Sequence, residues 1–362
     1  MKFSHHIFSV KTQDIHKYIT ICGIKIKIKN KKLIEQQKQI ELQEKINKLN
    51  NEVKKQLKKE INSLKNQLAE SKNMAEYKLC KYMAEEKYPE YLKDWFYKKT
   101  GEKLNLENPQ TFNEKIQWMK LYDKNPIKTQ LADKYVVREW VKERIGEEYL
   151  IPLLGVWENV DDIDFDKLPN KFVLKANHGS GWNIIVSDKT ALNIQETKQK
   201  LQKWLQTNFA YVAGLELHYR NIKPLIIAEK YLETEDKDLK DYKFLCFDGE
   251  VKYIWVDKDR YTNHKRNLFD TNWNLLNEKI GEGHIYENWL PCPKPKNLEK
   301  MLQFAKILSQ NFAFVRVDFY EHEDKLYFGE ITFTSATGLH VFSPSSFNLQ
   351  LGKMINLELC AK

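Results

Sequence analysis

The segment FVRVDFYEHEDKLYFGEITF, residues 314–333, constrains the fold more than any other stretch. Apolar and polar residues alternate on both sides of a charged, turn-prone centre, which predicts two strands joined by a tight connection at Glu321 to Lys325. Centred on Asp324, the hairpin sets Asp318 opposite Glu330 and Arg316 opposite Thr332. Side chains two apart share a face. Val315, Val317, Phe319, Gly329, Ile331 and Phe333 then face a core, and Arg316, Asp318, Tyr320, Phe328, Glu330 and Thr332 face the other way.

Two ionised carboxylates about 5 Å apart across a ladder repel by roughly 3 kcal/mol at an effective dielectric of about 20. Three readings stay open. A hard divalent cation bridges Asp318 and Glu330, Arg316 pairs with both in a structural network, or the register slips by one residue and the acids face apart.

The formal net charge of +9 is unevenly spread. Residues 1–82 hold 19 Lys against 8 acidic residues, a net of +11, and the remainder carries −2. A near-neutral body argues against a nucleic-acid-binding core, which needs a basic face of its own. Cys22, Cys80, Cys246, Cys292 and Cys360 lie far apart with no CxxC spacing, which suggests a reducing compartment. No run of apolar residues is long enough for a membrane span or a signal peptide, so the expected location is cytoplasmic.

In the arm, YITICGIKIKIK (18–29) predicts a basic two-stranded ribbon within residues 1–30. Its lysine face suits an anionic membrane surface, at the inner side of the membrane, or simply guards a solvated edge. Residues 31–73 contain no Pro or Gly, and Leu42, Ile46, Leu49, Val53, Leu57, Ile61, Leu64 and Leu68 recur at steps of three and four. This predicts a long amphipathic helix over 31–78, a coiled coil whose stripe calls for a homo-oligomer, or alternatively a helix folded back on the body.

A mainly helical part follows over 79–168. Thr111 and Glu114 form a capping-box pattern, and Leu131 to Ile145 reads as one helix with Val136, Val137, Trp140 and Val141 as its core stripe. Asp133, Lys134 and Arg138 read as its solvated face. Tyr149 to Trp157 reads as a buried strand, and the nucleus of the body is expected over 169–350, with a tail at 351–362.

FVLKAN (172–177) is a strand, HGSGWN (178–183) a glycine-bearing loop and Ile184 to Val186 a second strand. Glycines let backbone amides approach phosphate oxygens, and Lys175 adds a positive charge beside them. The loop lacks the GKS or GKT ending of a P-loop. PLIIAEKYL (224–232) is an apolar strand turning polar at Glu229 and Lys230, and two more strands, Tyr242 to Phe247 with Lys243 and Val251 to Val256, form a hairpin about Asp248 and Gly249.

This running order resembles the ATP-grasp superfamily, and FNEKIQWMKLYD, ADKYVVREWV, LKANHGSGWNII, DYKFLCFDGE and GEITFTSATGLHVFSP look like segments of the TupA-like ATP-grasp family of cell-surface polymer biosynthesis. The resemblance covers roughly 103–344. It implies an α+β chain with the ATP-grasp fold, two α+β subdomains gripping ATP, preceded by the long helix. Lys175, His178, Gly179, Ser180 and Gly181 would hold ATP phosphates, with Glu229, Lys230 and Leu232 as the adenine hinge and Lys243 a second phosphate contact. Arg316 would steady the transferred phosphoryl group, and Asp318, Glu330 and Thr332 would ligate magnesium, Thr332 standing where the family's ligases usually place Asn. The implied activity is an ATP- and Mg2+-dependent carboxylate–amine ligase acting on a small molecule or glycan precursor, and Arg260, Lys265, Arg266 and His340 are candidates for binding its carboxylate.

Two other functions remain open. The pairs Asp162/Asp164, Asp164/Asp166, Asp236/Asp238 and Asp257/Asp259 have the DxD spacing of a nucleotide-sugar glycosyltransferase. In a non-catalytic scaffold the basic arm and long helix would bring an inactive ATP-grasp-like fold to a membrane-bound assembly.

Overall fold

The computed structural model describes residues 8–13, 16–21, 24–232, 239–259 and 263–360. The chain divides into two compact units, 1–74 and 75–362. In the first, β1 (Phe8–Gln13), β2 (His16–Ile21) and β3 (Ile24–Lys29) form an antiparallel sheet in that order. The expected ribbon is thus two thirds of a three-stranded sheet. Its extra strand, FSVKTQ, has too few apolar residues to announce itself. The connection at Cys22 and Gly23 lies outside the described residues. Helix α1 runs from Lys31 to Tyr82, and its apolar stripe from Leu42 to Leu68 is exposed throughout, each side chain between 41% and 61%.

The second unit begins with four helices: α2 (Tyr88–Thr100), α3 (Phe112–Tyr122), α4 (Ile127–Ala132) and α5 (Val137–Ile145). Helix α3 starts on the expected capping box, the Thr111 Oγ1 accepting from the Glu114 amide at 3.2 Å and the Glu114 carboxylate from the Thr111 amide at 2.9 Å. The expected single helix over 131–145 is broken at Asp133, whose carboxylate accepts from the amides of Tyr135 and Val136 and so holds the turn that leads into α5. Val136 sits in this break and is exposed rather than buried, while Val137 and Val141 do face the core.

A four-stranded antiparallel sheet follows, ordered β4-β7-β5-β6 from β4 (Leu153–Trp157), β5 (Phe172–Ala176), β6 (Asn183–Val186) and β7 (Ile226–Lys230). The strand expected from Tyr149 is shorter and only half-buried. Helix α6 (Ile194–Leu205) covers this sheet with Leu201 and Trp204. The larger sheet comprises β8 (Asp241–Phe247), β9 (Glu250–Lys258) and β10 (Lys265–Phe269). After β11 (Lys279–Glu282) and α7 (Leu298–Leu308), it is completed by β12 (Phe314–His322) and β13 (Lys325–Thr332). Its order is β10-β9-β8-β12-β13, and β14 (His340–Ser343) pairs with β11 before α8 (Ser346–Lys353).

Alternation along β8 and β12 gives the large sheet two apolar faces. Tyr242, Phe244, Val315, Val317 and Phe319 pack under α7, and Leu245, Phe247 and Phe314 pack under α3 and α8. Each fully buried aromatic or aliphatic side chain contributes about 1.5–3 kcal/mol. Leu351, Ile355 and Cys360, within the segment expected as a tail, belong to the second cluster. No helix among the described residues is long and apolar enough to cross a membrane, and the four described cysteines form no disulfide.

Candidate functional site

Strands β12 and β13 pair in the expected register at the site, Arg316 with Thr332 and Asp318 with Glu330. Beyond Asp318 the register shifts, so that Phe319 faces Phe328 and Gly329 is the extra residue of a bulge. A Cβ on Gly329 would stand 3.0 Å from the Asp318 carbonyl oxygen, which explains why the bulge residue is glycine. The shift turns Phe328 inward, 5% exposed and in the core, which corrects its expected place on the polar face.

Pairing extends the acids into a charged ladder. Glu330, Asp318, Lys243 and Trp255 are successive cross-strand neighbours, and so, one row away, are Tyr320, Asp241, Asp257 and Arg266. Arg316 donates to Asp318 through Nε–Oδ1 and Nη2–Oδ2, both 2.7 Å, and from Nη2 to Glu330 Oε1 at 2.7 Å. Lys243 donates to Asp318 at 2.9 Å and also to Asp241. Burial raises the Asp318 pKa, opposed by Arg316 and Lys243; burial alone would lower that of Arg316, but Asp318 and Glu330 outweigh it and hold the guanidinium charged. Lys243, expected as a phosphate contact, is 2% exposed and turned onto these carboxylates.

The structural network that the sequence left open therefore exists. It is compatible with a cation as well. Asp318, Glu330 and the Thr332 hydroxyl, which donates to Glu330 at 3.2 Å, are hard oxygen donors on one sheet face, the chemistry magnesium selects. No cluster of three His, Cys, Asp or Glu side chains able to hold a metal occurs among the described residues. With Arg316 and Lys243 already neutralising the carboxylates, the donor set fits a cation that arrives with further oxygen ligands on a phosphate.

Opposite the hairpin, Glu229 on β7 is 7% exposed and takes Lys175 of β5 at 2.5 Å and Arg138 of α5 at 3.1 Å. Lys134, between α4 and α5, donates to the Gly179 carbonyl. Burial pushes its ammonium below the ordinary lysine value, with Glu330, Glu229 and Asp133 opposing the shift. Lys134, Arg138, Lys175, Tyr219, Glu229, Gly329 and Glu330 line one cleft. The break at Asp133 is what aims Lys134 and Arg138 inward, so their expected solvated role is corrected. Asp133 before a short helix was the available signal. Tyr219, in a 3-10 turn, had none.

The glycine loop differs in part from expectation. His178 is 2% exposed, its Nδ1 against Asn177 Oδ1 and its Nε2 against the Trp204 carbonyl, both at 3.0 Å, and burial lowers its pKa. It anchors the loop and does not present itself to a phosphate. Gly179 lies against the rings of Trp182 and Phe209, Ser180 is exposed and Gly181 turns the chain at φ +70°. Lys230 is exposed at the end of β7, and Leu232 is buried.

Two of the acceptor candidates are already engaged. Arg266 forks onto Asp257 at 2.6 and 3.1 Å and reaches Glu282 at 3.0 Å. His340 is held between the Gly281 carbonyl and Ser335, whose Oγ also accepts from Arg316. Lys265 is half-exposed, and Arg260 lies outside the described residues. Among the DxD pairs, Asp164 caps a 3-10 turn and Asp257 is spent on Arg266 and His264; Asp236 and Asp238 lie outside the described residues.

The sequence matches the family model described as TupA-like ATPgrasp over residues 114–356, more than half of the chain. No curated protein matches it. Solved structures similar to it include a D-alanine–D-alanine ligase from Bacillus anthracis complexed with ATP (17% identity, 56% of this chain and 54% of that one, TM-score 0.32). Another is the D-alanine–D-alanine ligase from Helicobacter pylori (15%, 62% and 61%, TM-score 0.31). A third is a phosphoribosylamine–glycine ligase from Thermotoga maritima (14%, 57% and 48%, TM-score 0.34). The chain spans about half to three fifths of the length of these three proteins. At TM-scores this low the likeness carries no weight.

Proposed function

The chain belongs to the TupA-like ATP-grasp family, and from that membership we propose an ATP- and magnesium-dependent ligase that joins a carboxylate to an amine in cell-surface polysaccharide biosynthesis. The observation that carries the reading is the cleft itself, where three cations, Lys134, Arg138 and Lys175, face the carboxylate-bearing hairpin. Such an arrangement suits a polyphosphate. A substrate carboxylate oxygen attacks the terminal phosphorus of ATP, giving an acyl phosphate and ADP. The amine nitrogen then attacks the acyl carbon, phosphate leaves, and the nitrogen sheds its proton to solvent.

The residues act by positioning and by charge. Lys175 and the backbone of residues 179–183 bind phosphate oxygens, Glu229, Lys230 and Leu232 border the base, and Arg316 stabilises the transferred group as its negative charge spreads, with Lys243 holding Asp318 beside it. Magnesium, held by Asp318, Glu330 and Thr332, supplies further neutralisation when bound. The exposed stripe of α1 is proposed as a contact between copies of the chain, and the basic sheet as a surface for anionic lipid.

Engagement of both Asp318 oxygens by Arg316 and Lys243 favours a second reading, a scaffold that keeps the fold without turnover. Thermal unfolding with and without magnesium ATP separates the two. Ligand at 100 times its dissociation constant adds about 2.7 kcal/mol. The ligase reading requires that gain in the parent chain and its loss in Lys175→Ala and in Asp318→Asn/Glu330→Gln, both still folded. No gain in the parent chain leaves the scaffold.

A further inference from the structure

The polar side chains that line the cleft are, with one exception, engaged with other groups of the chain. Lys134 donates to the Gly179 carbonyl, Arg138 and Lys175 donate to Glu229, and Glu330 accepts from Arg316. Tyr219 is the exception. It is 7% exposed, and its hydroxyl makes no hydrogen bond among the described residues. The oxygen is not sealed inside the protein either, and so opens on the cleft. If the ring alone mattered, phenylalanine would pack as well, and a nearly buried hydroxyl with no partner weakens a fold. The unengaged donor points to a ligand.

Two connections fix where in the cleft it stands. Tyr219 closes the 3-10 turn Leu217–Tyr219, its amide bonded to the Glu216 carbonyl at 3.0 Å. The Glu216 carboxylate accepts from the Thr334 hydroxyl, and the Ala213 carbonyl accepts from the Thr337 hydroxyl at 3.1 Å, so the turn is tied to the loop that follows β13. On its other side the Tyr219 ring meets Phe209 at 4.9 Å, and Phe209 meets Trp182 of the glycine loop at 5.1 Å, both edge-on. The turn is thereby held between the hairpin that carries Asp318 and Glu330 and the glycine loop. Burial, then the charges of Glu216 and Glu330, push the phenol pKa well above that of an ordinary tyrosine, against Arg316, so the group stays a donor at neutral pH. Glu330 and Arg316, whose charges reach it, belong to the hairpin end of the cleft.

We propose that the Tyr219 hydroxyl donates a hydrogen bond to an oxygen of the terminal phosphoryl group of ATP. The assignment rests on the ligase reading. A neutral donor suits this end of the cleft, because it bonds a charged oxygen without adding a cation where Arg316 and Lys243 already stand. The tyrosine keeps its proton throughout and forms no covalent bond.

The test is calorimetry on the full chain with magnesium AMP-PNP, which carries the terminal phosphoryl group, and magnesium ADP, which lacks it. Tyr219→Phe retains the ring and deletes only the hydroxyl. Its affinity for AMP-PNP should fall about tenfold, the size of one hydrogen bond to a charged group, with ADP affinity and unfolding temperature unchanged. A hydroxyl that serves the fold would instead lower the unfolding temperature, and that result overturns the assignment. Equal affinity of variant and parent for AMP-PNP, or equal weakening for both nucleotides, overturns it as well and leaves the ligase reading in place. A parent chain that binds neither nucleotide removes that reading, and the assignment with it.

Discussion

Arg316 grips Asp318 from two residues away on the same strand, through two parallel hydrogen bonds of 2.7 Å, with Asp318 1% and Arg316 6% exposed. A pair so buried is a liability once broken, because the remaining charge has no water to turn to. Arg316→Ala is expected to cost about 3–5 kcal/mol in urea unfolding. Arg316→Lys keeps the charge but loses the fork, and should fall between the two. A loss under about 1 kcal/mol in Arg316→Ala would match an exposed pair instead.

The same network bears on metal binding. Arg316 and Lys243 already balance Asp318 and Glu330. Magnesium alone should therefore produce no heat of binding in calorimetry, and magnesium with a non-hydrolysable ATP analogue should. Tight binding of magnesium without nucleotide would show that the carboxylates are available and that Arg316 readily swings aside.

How much of this was legible follows from pattern strength. Long alternation in β12 and β13 gave the hairpin, its register at Asp318 and Glu330, and hence the site face. The bulge was not legible, since Gly329 fits a regular strand as well as an irregular one in the sequence. Charged side chains on a helix suggest a solvated face for Lys134 and Arg138, whereas they reach the glycine loop and Glu229, contacts that only the folded chain brings together. His178 looked like a loop residue beside glycines, and its burial depends on Trp204, distant in sequence. Local periodicity cannot report contacts of that kind.

Gly329→Ala tests the bulge. The added methyl would meet the Asp318 carbonyl oxygen at 3.0 Å and the Tyr320 ring at 3.1 Å, so strand or ring must give way. Such overpacking costs about 1–3 kcal/mol. Because the strain falls beside Glu330, the response to magnesium ATP should weaken along with stability. An unchanged response would place the nucleotide away from this hairpin.

His340 should make the fold acid-sensitive. Burial, reinforced by Arg266 and Arg316 and opposed by Glu282, pushes its pKa down to about 4 from an ordinary 6.5. Above pH 6.5 the ring is neutral in both states and contributes no slope. Between 6.5 and 4 the unfolded chain takes up a proton that the folded chain refuses, so stability falls as pH falls, by about 1.4 kcal/mol per pH unit. His218, pushed by burial to about 3, adds to this slope, and Glu216, whose pKa burial raises, opposes it. His340→Gln isolates the single contribution: its stability deficit against the parent chain, measured by urea unfolding, should narrow by about 2 kcal/mol from pH 7 to pH 5. A constant deficit means that the folded chain protonates His340 normally.

The stripe on α1 predicts self-association. Ile46, Leu49, Val53 and Leu57 are each between 41% and 61% exposed, although burying a side chain of this size is worth about 1.5–3 kcal/mol. Steps of three and four keep the stripe on one side of the helix for its whole length, so a second copy can cover it continuously. Against this stands the lysine excess of the helix, which makes association depend on salt. Sedimentation velocity on the full chain should give a multiple of the monomer mass that grows firmer with added salt. Val53→Glu/Leu57→Glu, which buries two carboxylates in the centre of any such seam, should return the single-chain mass while leaving the stabilisation by magnesium ATP in place. A parent chain that sediments as a monomer at all salt concentrations removes the proposal.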